Sequence, residues 1–173
     1  PCVQSSILTG MQAWNGVEGV DVSGARSDAT VTVIVRANDG PTSGNWDPTA
    51  WATTTMAVPA GGYQSGYGSV ATVYMQDPFL YSLAGHCNAM EVTASHEFGH
   101  IMGLGHSTRQ GSFSTNVMQN GATVQELDSM SSTPSDCEKS RAKEAKTFNG
   151  GGAAPEHQAC EYAGSPGTTD GTG

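Results

Sequence analysis

The chain has 173 residues, a net charge of −9 and only 7 lysines and arginines. That length suffices for one domain with a proper hydrophobic core, and no stretch approaches the roughly 18 apolar residues of a membrane span. Because nucleic acids and anionic membranes are bound through clustered positive charge, so few basic residues argue against both as partners.

The four cysteines lie far apart and form no C-x-x-C pair. This spacing favours disulfides over a thiolate metal site, and disulfides persist in oxidising compartments. We therefore expect a secreted or extracytoplasmic protein. Of the three possible pairings we predict Cys2–Cys87 together with Cys137–Cys160, the second of which would tie the C-terminal segment to the last helix.

The N-terminal half predicts one helix followed by strands. Ser5 or Ser6 is expected to cap an amphipathic helix that runs to about Trp14, and Asn15-Gly16 ends it. Runs rich in β-branched residues, bounded by turn residues, predict the strands. These strands are expected at residues 20–22, 30–35, 52–58 and 69–75.

The loop over residues 38–48 is rich in Gly, Asn, Asp and Pro. Oxygen ligands from Asn38, Asp39, Asn45 and Asp47 can hold calcium. Solvated turn residues explain the same composition, since these residue types dominate turns in general. Calcium is therefore kept as an alternative to an ordinary polar loop.

Residues 96–106 read H-E-F-G-H-I-M-G-L-G-H and carry the chemistry of the chain. On a helix His96 and His100 point from one face, which suits two corners of a zinc tetrahedron. Glu97 lies about 100° further round, beside the metal, where a general base must stand. Gly103 can take a left-handed conformation that ends the helix and delivers His106 as third ligand. Three histidines leave one position open to water, as in catalytic zinc sites.

The residues around this motif predict its helix. Asn88 is expected to cap the helix, with Glu91 in a capping-box position, while His86 is interpreted as a surface or structural residue. The side expected to be buried comprises Met90, Ala94, Phe98, Ile101 and Met102.

A last helix is predicted from Thr133-Pro134, with proline at its first position. Its charged residues of both signs predict a solvated face with a few ion pairs. They are Glu138, Lys139, Arg141, Lys143, Glu144 and Lys146. Composition then changes to that of a linker, which divides the chain into a domain over residues 1–148 and a tail over residues 149–173.

The histidine motif, followed by Ser107, resembles the metzincin clan of zinc endopeptidases, and the serine is most similar to the matrixin branch. Metzincins also have a tight turn with a methionine beneath the metal. Residues 114–121 are similar to that turn and place Met118 in this role. The strong resemblance covers residues 88–121, and elsewhere it rests on the order of elements.

The resemblance implies an α/β (α+β) fold. A twisted mixed sheet would pack on two helices in the upper part. An irregular lower part would hold the methionine turn and a C-terminal helix, with one catalytic zinc in the cleft between. The chain has no histidine between residues 1 and 85, so the second, structural zinc of matrixins is not carried over.

The same resemblance implies a zinc endopeptidase in which Glu97 is the general base. Its protein or peptide substrate would pair with strand 52–58 as an edge strand, unless that strand is interior. Asn120, Gly121 and Ala122 would form the specificity pocket wall. We expect a monomer. Two alternatives remain, a catalytically silent binding module of this fold and a zinc hydrolase of a non-peptide substrate.

Overall fold

A computed structural model describes residues 2–24, 32–37, 51–56, 70–75, 85–107, 116–119 and 121–147. The described residues form four α-helices and three strands. They are α1 (Val3–Gln12), β1 (Thr32–Ala37), β2 (Ala52–Met56), β3 (Val70–Met75), α2 (Cys87–Ile101), α3 (Val124–Ser129) and α4 (Asp136–Thr147). A 3₁₀ turn, Val17–Gly19, follows α1.

The three described strands form a mixed sheet in the order β1-β3-β2. β1 runs parallel to β3, whereas β2 is antiparallel to it, with Thr54 opposite Val73. Within the described part of the chain β2 is therefore an edge strand. The small mixed sheet and its several helices confirm the α/β fold class, and three of the four predicted strands are present where their residues are described.

The fourth predicted strand, at residues 20–22, is wrong, because a side chain takes the place of a strand partner. The Val22 amide donates to Oδ1 of Asn15 at 2.6 Å, and the side-chain amide of Gln12 donates to the Val22 carbonyl at 3.3 Å. These side chains satisfy the hydrogen-bonding groups of the Val22 backbone, so the segment does not pair as a strand.

Helix α1 is fixed to α2 at both ends and in the middle. The predicted Cys2–Cys87 disulfide is confirmed and joins the starts of the two helices. At the other end, the indole N–H of buried Trp14 donates to the carbonyl and the hydroxyl oxygen of Ser95, at 2.9 and 3.0 Å. Between them, a Cβ on Gly10 would lie 2.1 Å from the Glu91 carbonyl oxygen, so the backbones meet directly.

The predicted cap of α1 is wrong, since the helix begins at Val3 directly after Cys2. The Ser6 amide bonds to the Cys2 carbonyl at 2.8 Å, and the Ser5 hydroxyl donates to the same carbonyl at 3.0 Å. The disulfide holds Cys2 at the start of the helix, so the helix forms one turn earlier than a serine cap would start it.

The predicted cap of α2 is also wrong, because the cap comes from a distant residue. Asp128 accepts the Ala89 amide through Oδ1 at 3.1 Å, and its other carboxylate oxygen pairs with His86. The Asn88 amide instead donates to the carbonyls at the end of α3, with Leu127, Asp128 and Met130 as acceptors at 2.8–3.0 Å. His86 thus has the structural role that was one of its two interpretations.

Helix α4 begins at Asp136, two residues after the predicted proline start. Ser135 caps it, since its hydroxyl accepts the Glu138 amide at 3.2 Å while Glu138 Oε2 accepts the Ser135 amide at 2.6 Å. The solvated position predicted for Glu138 is wrong, because the residue is 0 % exposed. Ion pairs do line the outer side, joining Arg141 to Glu144 and Lys139 to Asp136.

The hydrophobic core lies between the sheet and α2. The five residues predicted for the buried side of α2 are all buried, together with Ala71, Val73 and Met75 on one face of β3. Among the residues described, no helix is long and apolar enough to cross a membrane. Cys160, loop 38–48 and tail 149–173 lie outside the described residues, so the Cys137–Cys160 pair and the domain boundary stay predictions.

The close contact of α1 with α2 predicts the cost of a side chain at Gly10. Gly10→Ala should lower the melting temperature, because a methyl group 2.1 Å from a backbone carbonyl oxygen forces the helices apart. Overpacking of this kind costs about 1–3 kcal/mol, which exceeds the gain of about 1 kcal/mol in helix propensity. The control is Gly24→Ala, where an added Cβ meets nothing within 4 Å. Equal melting temperatures for both variants would contradict the contact.

Candidate metal centre

Three histidines converge at the end of α2. One ring nitrogen from each of His96, His100 and His106 lies within 4.8 Å of the others. The Nε2 atoms of His96 and His100 are 3.2 Å apart. A tetrahedral zinc with Zn–N distances of about 2.0–2.1 Å needs ligand nitrogens roughly 3.3–3.4 Å apart. The two histidines on the helix therefore already have the separation that zinc requires.

Backbone carbonyls fix the ring orientation of both helical histidines. His96 Nδ1 lies 2.7 Å from the Val117 carbonyl oxygen, and His100 Nδ1 lies 2.8 Å from that of Leu104. Because a carbonyl only accepts, each Nδ1 must carry the proton, which leaves a lone pair on each Nε2. The two Nε2 lone pairs, 3.2 Å apart, repel each other. A cation bound between them would be coordinated by both and would remove this repulsion. The donor set fits zinc.

Burial, reinforced by the neighbouring rings of His100 and His106, holds the pKa of His96 well below its ordinary value. The hydrogen bond to Val117 acts in the opposite direction and is the smallest of these effects. His96 is therefore neutral near pH 7, which is the form that binds a metal ion.

Gly103 ends α2 in the left-handed conformation that the sequence predicts, with φ of 91°. The Gly103 amide bonds to the His100 carbonyl and the Leu104 amide to the Gly99 carbonyl, both at 3.0 Å. This is the Schellman arrangement. It reverses the chain, so that the His106 ring lies 5.2 Å from that of His96 between ring centres.

Met118 packs directly against α2 between the two helical histidines. A Cβ on Gly99 would lie 2.2 Å from Met118 Sδ, and 3.1 Å from the ring of Trp14. Met118 is fully buried, and its carbonyl accepts the Ser107 amide at 2.8 Å. The turn is thus tied to the residue that follows the third histidine. The role of Gly99 was not predicted from the sequence, although Gly99 lies inside the motif.

Glu138 is a second functional candidate that the sequence-based analysis missed. Its Oε1 accepts the Met118 amide at 2.8 Å, next to the Val117 carbonyl that orients His96. Burial raises the pKa of Glu138, and the amides of Met118 and Ser135 lower it in part. The signal that could have found it is the S-x-x-E capping box at 135–138, which turns the glutamate back over the helix start.

Glu97 is 4 % exposed and directly follows His96 on α2. Burial raises its pKa to about 7, and a hydrogen bond from Thr54 acts to lower it. The Thr54 hydroxyl is 2.5 Å from Glu97 Oε2 and 3.1 Å from the Glu97 carbonyl oxygen. A carboxyl group with a pKa near neutrality can both take and return a proton.

Strand β2 reaches two parts of this centre. Thr54 contacts Glu97, and the indole N–H of Trp51, just before the strand, donates to the Ala122 carbonyl at 3.1 Å. Ala122 is buried and Gly121 is exposed. Asn120, the third residue of the predicted pocket wall, lies outside the described residues. The edge strand therefore borders both the buried carboxylate and the segment that follows the methionine turn.

Comparison with known protein families finds a match over the part of the chain that carries the histidines. The matrixin family model matches residues 37–134, more than half of the chain. The matched range includes the three histidines, Glu97 and Met118. No curated protein matches the chain, and no solved structure does.

The left-handed turn predicts how metal affinity depends on Gly103. Gly103→Ala should bind zinc more weakly, and Gly103→Val more weakly still, because a side chain costs about 1–2 kcal/mol in this conformation and a β-branched one more. Straining the turn displaces His106 and the Leu104 carbonyl that orients His100. Competition with a chromogenic chelator measures the affinity.

The matched control is Gly19→Ala, since Gly19 also has a positive φ, of 78°, and lies outside the site. This variant should lose folding stability as Gly103→Ala does and keep its affinity for zinc. If the two alanine variants bind zinc equally well, Gly103 does not build the centre.

Proposed function

The chain belongs to the matrixin family, and on that premise we propose that it is a zinc-dependent endopeptidase that hydrolyses peptide bonds. The observation that carries this proposal is the pair of Nε2 atoms 3.2 Å apart, each ring held by a backbone carbonyl, on the helix that also carries the buried Glu97. Such a pairing of a metal-ready donor set with a base is typical of metallohydrolase centres.

His96, His100 and His106 would hold one zinc ion through nitrogen ligands. When bound, the ion supplies Lewis acidity, which polarises the scissile carbonyl and makes the attacking water more acidic. The lowered pKa of His96 and the fixed Nδ1 positions of His96 and His100 support this assignment, since they favour Nε2 as the ligand atom.

Glu97 would move the proton. It takes one proton from the attacking water as the new C–O bond forms. It then gives that proton to the amide nitrogen as the C–N bond breaks, so an acid and an amine leave. The carboxyl group is 4 % exposed and its pKa lies at about 7, which suits a group that must accept and donate in one cycle.

The substrate would be an extended protein segment lying along β2. An edge strand offers unpaired backbone groups to a peptide, which gives affinity with little dependence on side chains. The contacts of Thr54 with Glu97 and of Trp51 with Ala122 support this path, because they place the strand beside the base and beside the proposed pocket wall.

The remaining features of the proposal concern the whole chain. The Cys2–Cys87 disulfide supports an extracytoplasmic setting. We further propose a monomer with a catalytic domain over residues 1–148 and a linker-like tail over residues 149–173. The four candidate calcium ligands lie outside the described residues, and calcium stays a prediction.

A casein digest with and without a chelator of zinc separates the proposal from its alternatives. A zinc endopeptidase should digest casein only in the arm without the chelator. A silent binding module and a hydrolase of another substrate would both leave casein intact in both arms.

Replacement of Glu97 tests the role of the base. Glu97→Ala should retain one zinc per chain and lose about 10²–10⁴-fold in activity, because general acid–base catalysis contributes that much. Metal analysis and the rate of casein digestion measure the two effects. The matched control is Glu91→Ala, a half-buried glutamate earlier on the same helix, which should digest casein at the native rate. Digestion at a near-native rate by Glu97→Ala would refute the assignment.

Removal of the metal tests the ligand set. Dialysis against a chelator should abolish activity, and one equivalent of zinc should restore it. His106→Ala should bind zinc much more weakly, because two nitrogen ligands remain of three. His86→Ala is the control, since His86 pairs with Asp128 and not with the three histidines. Native-like zinc content in His106→Ala would remove His106 from the centre.

A further inference from the structure

Glu97 contacts a residue that lies outside the zinc motif, Thr54. Thr54 lies on β2, far along the chain from the motif, and donates its hydroxyl to Glu97 Oε2 at 2.5 Å. The Thr54 hydroxyl oxygen also lies 3.1 Å from the Glu97 backbone carbonyl oxygen, which is the longer of the two distances. A hydroxyl has one proton to give, so the carboxylate oxygen is the main acceptor.

The hydrogen bond from Thr54 restricts the Glu97 side chain, which must be well placed to act as the base. Glutamate has three rotatable bonds, and holding it in one arrangement costs conformational entropy unless a partner fixes it. A displacement of about 1 Å at a reacting group can cost roughly 10²-fold in rate. With Oε2 bound to Thr54, Oε1 is the oxygen left to take a proton.

Strand alternation explains why Thr54 alone among its neighbours can do this. Residues 53, 54 and 55 are all threonine. Successive side chains point to opposite faces of a sheet, so Thr54 shares the inner face with buried Ala52. Thr55 is exposed, and its hydroxyl has a contact at 3.5 Å to the Thr72 carbonyl on the neighbouring strand.

We propose that Thr54 is a positioning residue for the hydrolysis, acting through Glu97. Its hydroxyl fixes one oxygen of the carboxylate and ties the base to the edge strand along which the peptide lies. The same strand then both pairs with the substrate and orients the base. This inference rests on the proposed function, and its test is chosen to separate the two.

The test uses four variants of the zinc-loaded protein. Thr54→Val removes the hydroxyl and keeps the shape, and Thr54→Ser keeps the hydroxyl. Thr53→Val and Thr55→Val make the same change on the other face of the strand. Thr54→Val should lose about 10-fold to 100-fold in kcat with KM for a short peptide nearly unchanged, as a hydrogen bond to a charged group is lost. Thr54→Ser and both controls should stay within about threefold of the native rate.

A double variant shows whether Thr54 acts through Glu97. In a Glu97→Ala background, Thr54→Val should change the residual rate no further, because the group it positions is gone. Zinc affinity should be equal in all variants, since Thr54 does not orient a histidine. An additional loss in the double variant would make Thr54 a general structural residue and overturn the proposal.

A second readout needs no peptidase activity. Acetohydroxamic acid must give up a proton to chelate zinc, and Glu97 is the group placed to receive it. The affinity of acetohydroxamic acid for the zinc-loaded protein should fall about 10-fold in Thr54→Val. It should remain native in Thr54→Ser, Thr53→Val and Thr55→Val. If the native protein cleaves no peptide, the proposed function fails, while acetohydroxamate binding still decides the role of Thr54. Equal affinity in all four variants would overturn it.

Discussion

The site depends on holding together nitrogen lone pairs that repel one another. His96 and His100 face each other across 3.2 Å with both Nδ1 protons committed to carbonyls, so the arrangement is unfavourable until a cation is bound. The fold must therefore supply the rigidity. Each ring is held by a carbonyl from a different segment, and the position of each carbonyl is set by a turn. The left-handed Gly103 sets one, and the methionine turn sets the other.

The methionine turn is itself held from two sides. On one side, the absence of a side chain at Gly99 lets the Met118 sulfur approach α2. On the other, the buried carboxylate of Glu138 binds the Met118 amide and links the turn to α4. A chain of contacts thus runs from α4 through the turn and the Val117 carbonyl to His96. This accounts for a buried acidic residue in a helix that otherwise carries ion pairs such as Arg141–Glu144 on its outer side.

The sequence predicted the local geometry of the candidate site better than the distant contacts that support it. The spacing of the three histidines, the turn at Gly103 and the buried side of α2 follow from local geometry, and the structure agrees with all three. The helix caps failed because their partners are distant: Cys2 is held by Cys87, and Asp128 caps α2 from 39 residues away. Periodicity and capping rules consider only neighbours in the chain. The charged pattern of α4 likewise predicted a solvated Glu138, whereas its burial depends on the Met118 amide, 20 residues earlier.

The same limit applies to the base, and it shows what the fold adds to the motif. The motif places Glu97 beside the histidines, but nothing near it in the chain fixes its carboxylate. That contact comes from Thr54, 43 residues earlier, on β2, which is the edge strand among the described residues. Trp51, just before the same strand, donates to the Ala122 carbonyl beyond the methionine turn. Because one strand contacts both sides of the centre, a peptide that pairs with it would be aligned by the same backbone that positions the base. The proposed metal ligands follow from a helix and a turn, whereas the proposed alignment of substrate and base requires the sheet.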